Sequence, residues 1–290
     1  MHQDITQKEA PSEITLHPHP TQFIARDKQK SAWQGDAYSA HSDPQYASIC
    51  AAIDAHPWQH CNPYQNVLDI GCGDGRISAQ IASRLPLGRV LGIDTSASMI
   101  THSNERHASK HSNLTFAIAD AQALPEQYHE KFDTITSFYC LHWIENLEQT
   151  LHSMRKCLKP NGQLIFWVVG SSGMPVLTVL EKLLSSDKSD VKKYESPICH
   201  RSTDEITAMA ARCNLLVERC EQFSYAYAYP NIEALIQWVS ALPYGHGLES
   251  TRRQEYIRTA VMQYVLGCPA HADGSITVHF PLIHFYGRKI

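Results

Sequence analysis

The sequence has no block of charges of one sign and no long apolar run. Its 290 residues include 25 basic and 29 acidic side chains, a net charge of −4 with histidine neutral. Without a concentration of basic residues there is no surface to follow a phosphate backbone, so we expect no nucleic-acid partner. Nowhere do eighteen apolar residues follow one another, and the first thirty residues lack the apolar run of a signal peptide. These absences predict a cytoplasmic protein without a membrane partner.

Closely spaced cysteines are also missing. The chain has nine cysteines, an odd number, and no two of them form a C-x-x-C pair. This pattern supports neither a zinc site nor a set of disulfides, and it favours a reducing compartment. The seventeen histidines are scattered, and pairs such as His17 and His19 lack an obvious third ligand. We therefore predict no metal centre.

What the sequence does contain is a regular alternation of strands and helices between residues 66 and 170. Each predicted strand is a short, nearly continuous apolar run, as in parallel sheets covered on both faces. An apolar stripe from Leu147 to Leu158 marks one of the intervening helices, which we expect to stop at residues 160–162. The five strands are residues 66–71, 89–95, 114–120, 132–139 and 162–170. This alternation predicts an α/β fold with a doubly wound, mostly parallel sheet.

The second half of the chain, residues 174–266, is less regular. Ser202 and Glu205 form a capping-box pattern at the start of a helix. The remaining predicted elements are helices around 231–241 and 251–266 and strands at 223–229 and 275–288, which bring the sheet to seven strands. Open α/β sheets bind ligands at the carboxyl ends of their strands. We therefore expect part of residues 174–266 to form a helical lid over that edge; the alternative is additional core.

The first strand runs directly into a glycine-rich loop, VLDIGCGDG. Gly71, Gly73 and Gly75 let the chain turn tightly and bring bare backbone close to a ligand. A dinucleotide-binding loop has the spacing G-x-G-x-x-G and presents a helix N-terminus to a pyrophosphate, whereas this loop is G-x-G-x-G. The carboxylate of Asp69, on the strand itself, would repel a pyrophosphate and attract an amine. The loop therefore favours a ligand with an ammonium group and no phosphates.

Acidic residues also end the next two strands. Asp94 lies nineteen residues beyond Gly75, where a carboxylate suits a bidentate grip on ribose hydroxyls. Asp120 and Ala121 end the third strand, where an adenine edge can be read. The implied ligand is an adenosine that carries an ammonium group and no phosphate. S-adenosylmethionine has these features.

These segments together resemble the class I S-adenosylmethionine-dependent methyltransferases. The resemblance rests on VLDIGCGDG, GIDTSASM, FAIADAQALP and the strand and helix that lead to KPNG. It implies a Rossmann-like methyltransferase fold over residues 31–290 with a cofactor-binding core at 65–170, preceded by polar residues 1–30 as a predicted flexible extension. The implied cofactor-binding residues are Tyr38, Asp69, Gly71, Cys72, Gly73, Asp94, Thr95, Met99, Asp120, Ala121 and Phe138.

One aromatic run relates the chain to a narrower group. SFYCLHW (137–143) ends the fourth strand, and together with Tyr38, Gln45 and the closing SITVHFPLIHFYGR it is similar to the juvenile hormone acid methyltransferases. The trans-aconitate and malonyl-carrier-protein methyltransferases share the general plan less closely. Members of these groups methylate carboxylic acids, so the resemblance implies a small-molecule or carrier-bound acid as substrate. It also maps Gln45 and Trp143 onto the positions that hold the acid.

The chemistry of the residues agrees with an acid as methyl acceptor. A carboxylate is already ionised at pH 7 and needs no general base, so an aromatic pocket with neutral donors such as Gln45 and Trp143 is enough. The alternative is methylation of a hydroxyl or phenol, with His142 as the base. A third alternative is a cofactor-binding protein without turnover. The fourth strand lacks the Asn/Asp-Pro-Pro-Tyr run typical of enzymes that methylate nucleic-acid bases, which disfavours that substrate.

Overall fold

The computed structural model describes residues 33–55, 63–186, 194–269 and 271–290. The flexible extension predicted for residues 1–30 lies outside the described residues. The described chain is organised around one seven-stranded sheet with helices on both of its faces. None of the helices in these ranges is long and apolar enough to cross a membrane.

The strands of this sheet are β1 (Asn66–Ile70), β2 (Arg89–Asp94), β3 (Leu114–Ile118), β4 (Phe132–Phe138), β5 (Leu158–Val169), β6 (Leu215–Tyr229) and β7 (Ile276–Lys289). Their order is β3-β2-β1-β4-β5-β7-β6. β1 to β5 pair in parallel, while β7 pairs antiparallel with both β5 and β6. The order changes direction between β1 and β4, and a crevice forms beyond the carboxyl ends at such a point. The predicted mostly parallel, doubly wound α/β fold is confirmed.

Helices cover both faces of the sheet. They are α1 (Gly35–Ser39), α2 (Asp43–Ala55), α3 (Arg76–Arg84), α4 (Ala97–His107), α5 (Leu147–Cys157), α6 (Pro175–Ser186), α7 (Thr203–Arg212), α8 (Ile232–Ser240) and α9 (Ser250–Leu266). On one face α2, α3, α6, α8 and α9 contribute to a core that includes Ile53, Leu180 and Trp238. On the other face α5 and α7 pack around Leu151 and Ile206. Both faces of the central strands are buried, which explains their nearly continuous apolar sequences.

The end of α5 differs from the expectation. The helix predicted to stop at residues 160–162 ends earlier, at Cys157, because Leu158 already pairs with Phe132 in the sheet. The turn residues instead form an irregularity inside β5, where Asn161 takes the left-handed backbone conformation with φ of 61°. Turn-forming residues therefore marked a break in the strand pairing and not the end of the helix.

β6 is longer than the strand predicted at 223–229, since it begins at Leu215. It is one of the two edge strands of the sheet, and most of its first ten residues are exposed or half-buried. An edge strand needs no alternation of apolar and polar side chains, so the sequence pattern did not reveal this part. Just before it, the predicted capping box is confirmed at the start of α7: Ser202 Oγ accepts the Glu205 N–H at 3.2 Å, and Glu205 Oε2 accepts the Ser202 N–H at 2.7 Å.

Candidate active site

A cavity of about 470 Å³, which we call the large cavity, lies at the carboxyl ends of β1 to β4. Most of the residues predicted to bind the cofactor line it, namely Tyr38, Gly71, Gly73, Asp94, Thr95, Met99, Asp120, Ala121 and Phe138. Trp143, predicted to hold an acid, lines it as well. Because parallel strands end at the same edge of the sheet, residues from distant parts of the sequence meet here.

A second cavity of about 40 Å³, the small cavity, lies beside the first. The two cavities share Tyr38, Gly71, Gly73, Phe138 and Tyr139 as lining residues. The small cavity is also lined by three of the predicted site residues, Gln45, Asp69 and Cys72. The predicted site residues are thus divided between two adjoining spaces, and His142 lines neither of them.

The glycine loop after β1 forms part of both cavity walls. Gly71 and Gly73 have positive φ angles, 70° and 53°, which side-chain-bearing residues rarely adopt. A Cβ atom on Gly71 would lie only 2.2 Å from the sulfur of Cys140, so this glycine lets the loop pack against the turn that follows β4. A Cβ atom on Gly73 would meet nothing closer than the Tyr38 ring at 3.7 Å. The backbone at Gly73 therefore borders open space in which a ligand fits.

Asp94 ends β2 and braces this loop. Its Oδ2 atom accepts the backbone N–H of Gly73 at 3.2 Å, and its Oδ1 atom accepts the N–H of Ser96 at 2.8 Å. Burial raises the pKa of the Asp94 carboxyl group, while the hydrogen bonds from Ser96, Gly73 and Thr95 oppose that rise. A carboxylate that lines the large cavity is thereby fixed in orientation before any ligand arrives.

Asp120 lies just after β3 and also shapes the large cavity. Its carboxylate accepts the N–H of Gln122 at 3.0 Å and so begins the short 3₁₀ turn Ala121–Ala123. This turn places Ala121 in the cavity wall. Met99 lines the same wall from the first turn of α4, where Ser96 Oγ accepts the Met99 N–H at 3.3 Å. Short local hydrogen bonds thus fix each of these lining residues.

Asp69 lies on β1 and is 2% exposed, at the wall of the small cavity. Its two oxygens accept hydrogen bonds from Ser78 Oγ at 2.6 Å and from Thr136 Oγ1 at 2.9 Å. Burial nevertheless raises the pKa of Asp69 from 3.8 to about 6, because the two hydroxyl donors replace water only in part. A cationic group placed near this carboxylate would restore its charge.

Trp143 lies among other aromatic rings. The 3₁₀ turn Leu141–Trp143 follows β4 and brings the indole to the large cavity. Trp33 and Tyr244 meet the Trp143 ring edge-on, with ring centroids 5.2 and 6.1 Å away. Trp33 in turn meets Tyr38 edge-on at 5.3 Å. Trp33, Tyr38 and Trp143 together form an aromatic wall of the large cavity.

His142 is inside the protein, 3% exposed, although it is the sequence neighbour of Trp143. Its Nδ1 atom accepts the backbone N–H of Val169 at 3.4 Å. Burial lowers the pKa of His142 to about 3, so the ring is neutral at pH 7. In a neutral imidazole whose Nδ1 is an acceptor, the proton is on Nε2. Neither nitrogen is therefore available to take a proton from a substrate.

Trp33 was not predicted as a site residue. It stands five residues before Tyr38 in an otherwise polar stretch, and this isolated aromatic residue was the available signal. Residues 195–199 were expected only as part of a lid. Glu195, Ser196, Pro197 and Cys199 line the large cavity, whereas α6, α8 and α9 pack into the core of one sheet face.

The segment 195–199 is fastened to the turn that contains Trp143. The backbone N–H of Cys199 donates to the carbonyl of His142 at 2.7 Å. Arg201, 8% exposed, donates from its guanidinium to the carbonyl oxygens of Ile144 at 2.8 Å and Glu145 at 2.7 Å. These bonds fix this wall of the large cavity to the turn that follows β4.

Comparison with known proteins identifies the family. A family model described as "Methyltransferase domain" matches residues 62–218, more than half of the chain. The chain belongs to this methyltransferase family. As the combined resemblance of four segments predicted, this methyltransferase is a class I enzyme that depends on S-adenosylmethionine, and it is similar to the juvenile hormone acid and trans-aconitate methyltransferases.

Several relatives of this methyltransferase are known. The putative methyltransferase 235L of Invertebrate iridescent virus 6 is 25% identical over 90% of this chain and 94% of its own length. Juvenile hormone acid O-methyltransferase of Drosophila melanogaster is 28% identical over 61% of this chain and 62% of its own length. Trans-aconitate 2-methyltransferase of Deinococcus radiodurans is 33% identical over 46% of this chain and 47% of its own length.

Solved structures share the fold of this methyltransferase. The YcgJ protein of Bacillus subtilis has a TM-score of 0.59 at 18% identity and covers 84% of this chain and 98% of its own. A putative methyltransferase of Bacillus halodurans has a TM-score of 0.57 at 15% identity, with 83% and 99% covered. The Rossmann-like methyltransferase fold predicted for this chain is thus confirmed.

The residues of the large cavity fit S-adenosylmethionine. A volume of about 470 Å³ is typical of sites for small molecules. Four carboxylates line the cavity, those of Asp94, Asp120, Glu145 and Glu195, and among the residues that the structure describes no lysine, arginine or histidine does so. Such a lining suits the positive sulfonium and ammonium groups of the cofactor, and the aromatic wall suits its sulfonium through cation–π attraction.

Proposed function

We propose that this methyltransferase transfers the methyl group to the carboxylate of a small-molecule or carrier-bound acid. Three relatives support this substrate class, since they are named as methyltransferases of juvenile hormone acid, trans-aconitate and malonyl-acyl carrier protein. The residues of the site support the same substrate class.

The state of His142 is the observation that carries it. A hydroxyl or phenol must lose a proton during transfer, and the imidazole that would take it is buried outside both cavities with its Nδ1 atom engaged by Val169. A carboxylic acid with an ordinary pKa near 4 is ionised at pH 7 and has no proton to lose. The site therefore suits an acceptor that arrives already charged.

Two neutral donors are proposed to hold the acid where the two cavities meet. Trp143 offers its indole N–H from the wall of the large cavity, and Gln45 offers its amide N–H₂ from the wall of the small one. Tyr38, Phe138 and Tyr139 line both cavities, and we place the acid at this shared border, between the two walls. Holding reactants in line is worth about 7–11 kcal/mol, which makes positioning the main task of the residues.

Asp69, the glycine loop, Asp94, Asp120 and Ala121 would hold S-adenosylmethionine, which would supply a methyl group on a positively charged sulfur. Trp33, Tyr38 and Trp143 exclude water from the large cavity, since their edge-on contacts leave a continuous apolar wall. Removal of water strengthens the attraction between a carboxylate and its donors and prevents hydration of the acid oxygen. The carboxylate oxygen, hydrated in the free acid, would thus be held without water in a fixed position to accept the methyl group.

The proposal is tested by transfer of labelled methyl groups to a panel of acids, with the matching alcohols and phenols alongside. Acids should be methylated, and with saturating cofactor the rate should stay flat from pH 6 to pH 8. Trp143→Phe removes the indole N–H and should slow transfer by about tenfold to a hundredfold, the effect of one lost hydrogen bond to a charged group.

Trp167→Phe is the matched control. It makes the same change in ring size, and the N–H that it removes is buried without a partner and lies outside both cavities. Its rate should stay within about twofold of the original. Methylation of phenols but not acids, together with a rate that falls on the acid side near pH 6.5, would refute the carboxylate proposal.

A further inference from the structure

Gln45, on α2, is held at both of its oxygen atoms. The backbone carbonyl oxygen accepts a hydrogen bond from Ser48 Oγ at 2.7 Å. The side-chain Oε1 atom accepts one from the indole N–H of Trp238 at 3.1 Å. Gln45 is 5% exposed and Trp238 only 1%, so neither bond competes with bulk water. The side chain of Gln45 is therefore fixed by a residue of α8, 193 positions away.

The chemistry of the indole decides which way the Gln45 amide is turned. An indole nitrogen carries one proton and only donates, so the amide atom that faces Trp238 has to be the oxygen. The other amide atom, Nε2, then has two N–H donors for its remaining contacts. We infer that Trp238 is a positioning residue of the proposed acid site, which turns the Gln45 amide so that this amide presents only its N–H₂ donors to a ligand in the small cavity.

The hydroxyl groups of Ser48 and Tyr139, close to Gln45, have their protons committed in the same way. Ser48 has one hydroxyl proton, and the Gln45 carbonyl, which only accepts, takes it. The 2.9 Å contact between Ser48 Oγ and the Tyr139 hydroxyl therefore has Tyr139 as its donor. Tyr139 has no proton left for a substrate, although its ring lines both cavities. Of these three residues, Gln45 is thus the one whose side chain still has N–H donors for a carboxylate.

The fixed orientation has a consequence for specificity. A carboxylate only accepts hydrogen bonds, whereas an alcohol or a primary amide also brings protons that need an acceptor. With its oxygen engaged by Trp238, the Gln45 amide cannot turn to receive them. Trp238 thereby sets a preference for an ionised acid over neutral analogues of the same shape, because a buried polar group left unpaired weakens binding strongly.

The indole ring of Trp238 is positioned independently of its N–H. It packs edge-on against Phe280 with ring centroids 5.4 Å apart, and against Tyr229 at 5.8 Å. Trp238→Phe therefore keeps an aromatic ring between these neighbours and removes the donor. Tyr229→Phe is the matched control, since it removes a buried hydroxyl without a partner from a ring that touches Trp238.

The test rests on the proposed function and starts with the wild-type enzyme. Labelled methyl transfer is measured with straight-chain acids from acetate to octadecanoate and with benzoate, and the best acid and its primary amide are used as substrate and inhibitor. Trp238→Phe should raise the KM for the acid about tenfold or more, while Tyr229→Phe should not change it. The affinity for S-adenosylhomocysteine, measured by calorimetry, should stay within about twofold in both variants.

Two further readouts separate positioning from packing. In a Gln45→Met background Trp238→Phe should add less than about twofold to the KM, because the residue through which it acts is gone. The wild-type preference for the acid over its amide should narrow in Trp238→Phe, since the freed Gln45 amide can then turn. Equal losses in both backgrounds, or an unchanged acid-to-amide ratio, would overturn the inference.

If Trp238→Phe does not fold, a second variant, Gln45→Glu, tests the inference instead. Gln45→Glu keeps an oxygen for the Trp238 N–H and replaces the two N–H donors by a second oxygen. It should weaken acid binding at least about a hundredfold with S-adenosylhomocysteine affinity nearly unchanged; an unchanged KM for the acid would overturn the inference. Absence of transfer to every acid by a wild-type enzyme that binds S-adenosylhomocysteine would instead refute the proposed function, and this inference with it.

Discussion

Replacing Asp69 with asparagine is expected to stabilise the cofactor-free protein at neutral pH and to weaken cofactor binding. The carboxylate is buried, and two hydroxyl groups, from Ser78 and Thr136, donate to it. Asparagine has nearly the same shape and no charge. Its oxygen can accept one of these bonds, while its N–H₂ group has to donate to the other hydroxyl. The substitution therefore changes the charge far more than the packing.

The size of the effect follows from the pKa of Asp69, which burial raises from 3.8 to about 6. This difference converts to about 3 kcal/mol. Because the folded-state pKa is the higher one, the contribution of Asp69 to stability is fully present below pH 3.8 and is lost as the pH rises through 6. About 2 kcal/mol of this loss falls between pH 4 and pH 8. The asparagine variant has no such loss.

Urea unfolding of both proteins at pH 4, 6 and 8 measures this difference. The free energy of unfolding of the variant minus that of the wild type should increase by about 2 kcal/mol from pH 4 to pH 8. His142, with a pKa lowered to about 3, has the opposite dependence on pH, but it is present in both proteins and cancels in the difference. Parallel pH profiles would show that Asp69 has an ordinary pKa and would refute the reasoning.

The same carboxylate makes cofactor binding depend on pH. If an ammonium group of S-adenosylhomocysteine restores the charge of Asp69, the wild type should bind it about tenfold more tightly at pH 7 than at pH 5, since the ligand no longer has to displace a proton. The Asp69→Asn variant should bind more weakly at pH 7, with an affinity that hardly changes over this range. Calorimetry at the two pH values measures both, and equal pH dependence in the two proteins would place Asp69 away from the ammonium group.

Two other substitutions test neighbouring parts of the site. Asp94→Ala should lower the affinity for S-adenosylhomocysteine by about 2 kcal/mol or more, because it removes the proposed ribose contacts and the brace on Gly73; calorimetry showing wild-type affinity would remove Asp94 from the site. His142→Asn keeps an acceptor for the Val169 N–H. The depressed pKa of His142 means that its stabilising contribution is present above pH 6.5 and is lost as the pH falls toward 3. Wild type should therefore lose about 1 kcal/mol more than the variant between pH 7 and pH 5.5. The rate of methyl transfer by His142→Asn at pH 7 should stay within about fivefold of the wild-type rate. A variant that folds but is inactive would support His142 as a general base.

The local sequence determined the strands and the residues at their ends. Buried parallel strands need apolar side chains on both faces, so β1 to β5 are recognisable without any knowledge of their partners. Gly73 follows β1 and Asp94 ends β2, and because all parallel strands end at one edge of the sheet, their atoms come within 3.2 Å of each other. The order of strands and loops along the chain thus predicted that these two residues meet at the large cavity.

Tertiary structure decided what individual side chains do there. His142 and Trp143 are neighbours in a turn of 3₁₀ helix, and successive residues of such a turn face different directions, so one enters the core while the other lines the large cavity. The pKa values of Asp69 and His142 depend on how much water the surrounding elements remove, which no local pattern records. The partner of Gln45 comes from α8, 193 residues further along the chain, and only the packing of α8 over the sheet brings the indole N–H to the amide oxygen.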